Sequence, residues 1–275
     1  MDSIQAVGLG IIQGLTEFLP VSSSGHLVIF QHLFGLEEPE LLFDISVHIG
    51  TLIAICAIFF KEIRSIIRAL MSFPKLTASA GGIGHLIAEN EEIRITALII
   101  AGSVPTALLG ILFSKITDQI FGTLWIVGLM LLVTGTLLWF TRKIYLEGRT
   151  IKAFNLKDAL VIGLIQGLAI LPGISRAGST IAVALFLGVD RELAGRYSFL
   201  LSIPAILGAL LIGLDSSITK ASASVEMMLL GGAIAGIVGY MALKVLLQLV
   251  KKGQLHRFAP YCWTMGGLAL VWNWF

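Results

Sequence analysis

The sequence predicts an all-α polytopic membrane protein, with six transmembrane helices and two re-entrant helix–loop–helix hairpins arranged as an inverted-topology repeat. The prediction rests on the composition, on two pairs of short apolar runs, and on the position of the basic residues. Hydrophobic residues make up 56% of the 275 residues and charged residues 13%, whereas a soluble domain has about 25% charged residues. So few charges cannot coat a soluble core, and a net charge of +2 is too small to indicate a nucleic-acid partner.

The first pair of apolar runs covers 4–15 and 27–36. Each is shorter than the roughly 20 residues that a helix needs to cross a hydrocarbon core of about 30 Å. One long helix kinked at Pro20 is one interpretation, and a hairpin that enters and leaves by the same face is the other. The hydroxyls and Glu17 between the runs favour the hairpin, because a kink facing lipid would not need them and non-helical backbone at membrane depth needs protein or a water-filled cavity around it.

The same order of elements occurs twice. A second pair of short runs, 159–171 and 177–189, follows the first, and segment 13–25 aligns with 166–178 without a gap at matching Gln, Gly, Leu, Ser and Gly positions. Each pair is followed by three runs that are predicted as spans: 41–60, 95–113 and 121–140 in the first half, and 197–214, 227–250 and 258–275 in the second. We therefore expect a single integral membrane domain, 1–275, with repeat halves 1–140 and 155–275.

The basic residues predict the orientation of the chain. Connections 61–91, 141–158 and 251–257 contain 4, 5 and 3 Lys or Arg residues, whereas the two intervening connections contain one each, Lys115 and Lys220. The positive-inside rule places the first group in the cytoplasm. Both termini are then predicted outside the cell membrane, and the two hairpins enter from opposite faces and meet near the midplane.

The charges within the hairpins indicate an anion site. Glu17 has no Lys or Arg within the first sixty residues, and Arg176 is the only charged residue in 159–189. Hairpins that meet would bring this carboxylate and guanidinium together with His26 and several hydroxyls. A guanidinium beside helix N-termini suits phosphate best. A buried ion pair that only holds the hairpins, with serines such as Ser24 acting as helix caps, is the alternative, and His48 is most simply a core histidine facing a neighbouring helix.

Two motifs carry a resemblance to a known family. QGLTEFLPVSSSGH at 13–26 and PGISRAGST at 172–180 resemble the signature motifs of the undecaprenyl-diphosphate phosphatase, or bacitracin-resistance, family, and the resemblance extends over nearly the whole chain in length and element order. It implies a fold of six spans and two re-entrant hairpins. It also implies an enzyme that hydrolyses undecaprenyl diphosphate, a C55 isoprenyl diphosphate, to undecaprenyl phosphate and phosphate, which recycles the lipid carrier for peptidoglycan synthesis and gives bacitracin resistance.

The resemblance also implies which residues form the site. Many members of the family have glutamate at Gln13 and serine at Ala177, so this chain has one carboxylate and one hydroxyl fewer there. A divalent cation, Mg²⁺ or Ca²⁺, held by Glu17 is thus left open. The implied catalytic residues are Glu17, Ser23, His26 and Arg176, and the implied diphosphate-binding residues are Gln13, Ser22, Ser24, Gly25, Ser175, Gly178 and Thr180.

The mechanism and a second function remain open at the level of sequence. His26 is the first choice for nucleophile or general acid/base, with Glu17 orienting it, and Ser23 is the rival nucleophile. The expected partners are the isoprenoid diphosphate lipid and the bilayer, and the sequence leaves a homodimer open. Because inverted repeats with broken helices also build secondary transporters, a flippase for a polyprenyl phosphate lipid is the alternative function.

Overall fold

The computed structural model describes residues 1–36, 41–79, 86–87, 89–114, 124–144, 148–217 and 224–272. Lys115 and Lys220, which the orientation prediction uses, lie outside these ranges, as do 273–275 at the end of the last predicted span. The first half contains α1 (Ser3–Phe18), α2 (Ser23–Leu33), α3 (Leu41–Ile58), α4 (Phe60–Ser79), α5 (Glu91–Ser114) and α6 (Leu124–Phe140). The second half contains α7 (Leu156–Leu168), α8 (Arg176–Phe186), α9 (Arg191–Ser217), α10 (Val225–Lys251) and α11 (Ala259–Trp272).

Several of these helices are suited to a bilayer. Among the described residues, α5, α6, α9 and α10 are each long and apolar enough to cross a membrane. Helices α3 and α4 would make a fifth span together, but they are bent by 81° at the break between them. The prediction of an all-α, multi-pass membrane protein is therefore confirmed, with four or five spans by length and composition in the described part of the chain.

Two pairs of short helices occupy the positions of the predicted hairpins. Helices α1 and α2 are separated by 19–22, and α7 and α8 by 169–175. Asp2 closes a capping box at the start of α1, and Asn155 does the same at the start of α7. Helix α2 begins at Ser23, four residues before the apolar run 27–36. Two of the three serines and His26 therefore lie on the first turns of a helix and not in a loop.

The connection 61–91 also differs from the sequence prediction. The predicted span 41–60 ends at Ile58, and α4 follows at once and runs through the first part of what was predicted to be a polar connection. Its charged residues recur every three or four positions between apolar ones, which is the pattern of an amphipathic helix. A count of the basic residues does not reveal this spacing, so the helix was not predicted.

Glycines allow the hairpin helices to pack closely on spans of the other half. Helix α1 packs along α10, and α7 packs along α5. A Cβ atom on Gly14 of α1 would lie 2.8 Å from the carbonyl oxygen of Ala235, and a Cβ atom on Gly163 of α7 would lie 1.9 Å from that of Gly102. Such contacts need small residues on both helices. The sequence therefore specifies where these helices cross.

Helices α6 and α11 cross each other in a reciprocal way. A Cβ atom on Gly128 would lie 2.9 Å from the carbonyl oxygen of Gly266, and one on Gly266 would lie 2.8 Å from that of Gly128. The same kind of residue thus sits at the crossing point on both helices. These two helices occupy equivalent final positions in the two predicted repeat halves.

We expect Gly163→Ala to destabilise the protein. The added methyl group would overlap the backbone of α5 at Gly102, 1.9 Å away, and such overpacking costs about 1–3 kcal/mol or more. The apparent unfolding temperature in detergent should fall clearly. Gly208→Ala is the matched control, because no atom lies within 4 Å of the place that its methyl group would take and alanine favours a helix. Equal unfolding temperatures for the two variants would contradict the close crossing.

Candidate active site

The tips of the two hairpins touch each other. The backbone N–H of Gly173 donates a hydrogen bond to Oγ of Ser22 over 3.1 Å, and a Cβ atom on Gly178 would lie 2.8 Å from Cβ of Pro20. Ser22 has a φ of 69°, a left-handed conformation that is uncommon for a residue with a side chain and that concentrates at functional sites. The contact joins two segments that are 151 residues apart in the chain.

An ion pair between the hairpins lies beside this contact. Nη2 of Arg176, at the start of α8, donates to Oε1 of Glu17 near the end of α1. The side chains are 17% and 6% exposed, respectively. The predicted meeting of these two residues is therefore confirmed. A buried carboxylate needs such a partner to remain ionised.

The other carboxylate oxygen of Glu17 is also in contact with polar groups. Oγ of Ser23 donates to Oε2 over 2.7 Å, and Nε2 of Gln13 donates to the same atom over 3.1 Å. Nε2 of His48 lies 3.8 Å from it. Oε1 of Gln13 is buried and has no hydrogen-bond partner in the described part of the chain. Glu17 is thus the centre of the polar cluster, and Ser23 is the hydroxyl nearest to it.

His26 makes a different set of contacts. Its Nδ1 atom lies 2.8 Å from the carbonyl oxygen of Ser22, and its Nε2 atom lies 2.6 Å from the hydroxyl of Tyr261 in α11. The two rings are stacked, with centroids 5.8 Å apart and planes at 14°. Because a carbonyl only accepts, Nδ1 carries the proton in this arrangement. In a neutral imidazole, the lone pair on Nε2 then accepts from Tyr261.

The expectation that Glu17 orients His26 is wrong for this arrangement. Because α2 begins at Ser23, the serine faces Glu17, and His26, three residues further along the helix, faces α11. Residues three apart on a helix point in directions that differ by about 60°. The carboxylate therefore contacts the rival nucleophile instead of the histidine.

The remaining predicted phosphate ligands lie around this cluster. Oγ of Ser175 caps α8 by accepting from the N–H of Gly178 over 3.1 Å, and the hydroxyl of Thr180 donates to the carbonyl of Arg176 over 2.8 Å. Oγ of Ser24 lies 3.4 Å from Oγ of Ser22. The hydroxyls of Ser175 and Thr180 contact the backbone of α8, so they support the position of Arg176 at the start of that helix.

Gly25 and Gly178 provide space rather than donors. A Cβ atom on Gly25 would lie 3.0 Å from Cγ1 of Val127, and the methyl position of Gly178 is occupied by Pro20. Both glycines therefore allow the hairpins to approach each other and α6. Their predicted part in diphosphate binding is untested by these contacts.

The protein groups do not fit a preformed divalent-cation site. In the described ranges there is no group of three His, Cys, Asp or Glu residues that could hold a metal ion. Glu17 is the carboxylate of the cluster, and its two oxygens contact Arg176, Ser23 and Gln13. A hard cation prefers several oxygen ligands without a competing cation beside them. A single carboxylate that is already paired with a guanidinium is therefore a poor set of ligands for a divalent cation.

A family model described as "Bacitracin resistance protein BacA" matches residues 6–268. The chain belongs to the BacA family. It is similar to an "Undecaprenyl-diphosphatase" of Desulfatibacillum aliphaticivorans, with 50% identity over 99% of each chain. Further relatives with that description occur in Desulforapulum autotrophicum, with 48% identity over 98% of each chain, and in Halothermothrix orenii, with 40% identity over 98% of each chain.

Two residues of this BacA-family site were not identified from the sequence. Tyr261 is separated from its partner His26 by 235 residues and lies in an apolar helix without a motif, so no sequence signal pointed to it. His48 was interpreted as a core histidine, yet its Nε2 faces Glu17 while its Nδ1 contacts the carbonyl of Asp44 over 2.7 Å. An ionisable residue within an apolar span was the signal that could have found it.

Proposed function

We propose that this chain hydrolyses undecaprenyl diphosphate to undecaprenyl phosphate and inorganic phosphate within the cell membrane. The main support is the Glu17–Arg176 pair, which places a guanidinium and a serine hydroxyl on one buried carboxylate where two hairpins meet. A guanidinium is the side chain best suited to clamp phosphoryl oxygens. Membership of the BacA family and the descriptions of the relatives support the same substrate.

The diphosphate would replace Glu17 as the partner of Arg176. As its terminal phosphoryl group binds the guanidinium of Arg176, Glu17 loses its cation and becomes a stronger base toward the hydroxyl of Ser23, 2.7 Å away. The substrate would thus activate the nucleophile by binding. The neighbouring N–H groups at the start of α8 add donors for the charge that develops on the phosphoryl oxygens.

The proposed reaction proceeds in two displacements. Oγ of Ser23 attacks the terminal phosphorus and its proton passes to Glu17, while the bond to the bridging oxygen breaks and undecaprenyl phosphate leaves. Water then attacks the phosphoserine, the bond to Ser23 breaks, and the proton held by Glu17 returns to the serine oxygen. Inorganic phosphate leaves as dihydrogen phosphate, which carries both protons of the water. We assign Ser23 as the nucleophile because its hydroxyl is the one that contacts Glu17. His26 takes a proton-handling role along the hydrogen bond between its Nε2 atom and the hydroxyl of Tyr261.

A single reconstitution experiment tests the function against its alternative. Purified protein in proteoliposomes is given undecaprenyl diphosphate, and phosphate release and transbilayer movement of the lipid are measured separately. We expect phosphate release that does not depend on lipid movement. Lipid movement without phosphate release would instead establish the flippase. Running the assay with EDTA, Mg²⁺ or Ca²⁺ also tests whether a divalent cation enters together with the diphosphate, whose oxygens would supply most of its ligands.

Tyr261→Phe should change the pH dependence of phosphate release. The variant keeps the stacked ring but loses the hydroxyl that donates to Nε2 of His26. That hydrogen bond favours the neutral imidazole, so its loss should move the acid limb of the pH–rate profile to higher pH. Tyr240→Phe is the matched control, since that tyrosine lies under Lys244 on α10, away from His26. An unshifted profile in Tyr261→Phe would contradict a role for His26 in proton handling.

We also propose the complete topology of six spans and two re-entrant hairpins in inverted repeat, with halves 1–140 and 155–275 and both termini outside. The packing supports it, because α1 lies on α10 while its counterpart α7 lies on α5, and α6 crosses α11 at equivalent glycines. In a chain without native cysteines, an impermeant maleimide added to intact cells should label Ser3→Cys and not Lys152→Cys. The reverse labelling would overturn the orientation.

A further inference from the structure

Helix α4 lies across the direction of the span that precedes it. It begins at Phe60, directly after the break that ends α3, and the two axes differ by 81°. A helix that leaves a span at nearly a right angle runs along the membrane surface. We propose that α4 lies in the plane of the bilayer interface and binds the headgroups of anionic phospholipids through Lys61, Arg64 and Arg68.

The side chains of α4 are arranged in three strips. Ile63 and Ile66 pack against the core of the protein. The next strip is apolar but not covered, with Phe60, Ile67 and Met71 exposed by 62%, 51% and 76%. At about 100° per residue, positions 61, 64 and 68 fall within one narrow strip on the remaining side, and their basic side chains are exposed.

These strips match the layers of a membrane interface. An in-plane helix buries its apolar strip about 5–10 Å into the boundary between headgroups and acyl chains, and its basic strip remains among the headgroups. Each Lys or Arg near an anionic surface contributes about 1 kcal/mol to binding. Three basic side chains beside an exposed apolar strip therefore fit anionic phospholipid.

Charge replacement on α4 tests the lipid preference. Protein reconstituted in mixed phosphatidylglycerol and phosphatidylcholine is extracted, and the ratio of the two lipids that remain bound is measured. The ratio of bound phosphatidylglycerol to bound phosphatidylcholine should fall several-fold in the combined variant Lys61→Gln, Arg64→Gln, Arg68→Gln. The matched control is Lys143→Gln, Lys152→Gln, Lys157→Gln, which removes the same charge from another basic connection and should retain most of it. An unchanged ratio in the α4 variant would overturn the proposal.

Depth measurements test the placement of α4 independently of charge. Spin labels are attached at Ile67→Cys, in the exposed apolar strip, and at Ser72→Cys, which is exposed on the basic side, in a chain without Cys56 and Cys262. We expect lipid-soluble oxygen to relax the label at position 67 and an aqueous nickel chelate to relax the label at position 72. If the chelate reaches both labels equally, α4 faces water and the proposal is overturned in favour of a soluble partner.

Discussion

Replacement of Arg176 with alanine is expected to lower phosphate release from undecaprenyl diphosphate by about 10²–10³-fold, the usual effect of removing one strong donor to a developing negative charge. The guanidinium is the cation at the junction of the hairpins, and it contacts Glu17 directly. Arg176→Lys should recover only part of the activity, because an ammonium group cannot bind two phosphoryl oxygens in a fixed fork. Initial rates of phosphate release in detergent are the measurement.

Loss of activity in this variant must be separated from loss of structure. Arg176→Ala leaves the carboxylate of Glu17 buried without its cation, and breaking a buried pair costs about 3–5 kcal/mol. The double variant Arg176→Ala, Glu17→Gln removes the unpaired charge and should regain thermal stability while staying inactive. Arg142→Ala is the matched control, because this arginine stacks on Trp139, 3.9 Å from the ring centroid, outside the site. Activity restored together with stability in the double variant would reduce the ion pair to a structural role.

Ser23→Ala is expected to lower phosphate release by on the order of 10⁴-fold or more, since removal of a nucleophile disables the whole catalytic unit. Ser23 donates to Glu17 over 2.7 Å, so the base and the hydroxyl are already in contact. Ser103→Ala is the matched control, because the hydroxyl of this serine donates to the carbonyl of Ile99 within its own helix, α5, over 2.8 Å. It should retain most of the activity.

Trapping of the phosphorylated protein distinguishes the two candidate nucleophiles. Brief incubation with substrate labelled in the terminal phosphate, followed by acid quenching, should leave an acid-stable phosphoserine at Ser23. His26→Ala should still form this species, although more slowly. An acid-labile phosphohistidine, lost in His26→Ala and retained in Ser23→Ala, would reverse the assignment.

Much of the site was predictable because charges are rare in this chain. Glu17 has no cation within the first sixty residues, and Arg176 is the only charge in 159–189. A buried charge within apolar sequence needs a partner, so the pair could be predicted across 159 residues. The partners of His26 were not predictable in this way. A neutral imidazole can form hydrogen bonds with any donor or acceptor, and the sequence contains several of each.

The sequence by itself determined that the chain is a helical membrane protein, that two pairs of its helices are too short to span, and that one carboxylate and one guanidinium must meet. These properties follow from composition, length and charge, which belong to each segment of the chain and do not depend on how the segments pack. Only the tertiary structure decided that Ser23 faces Glu17, that Tyr261 covers His26, and that α4 turns away from α3. Those contacts depend on where a helix begins and how it is rotated, and each residue added to a helix turns the following side chain by about 100°.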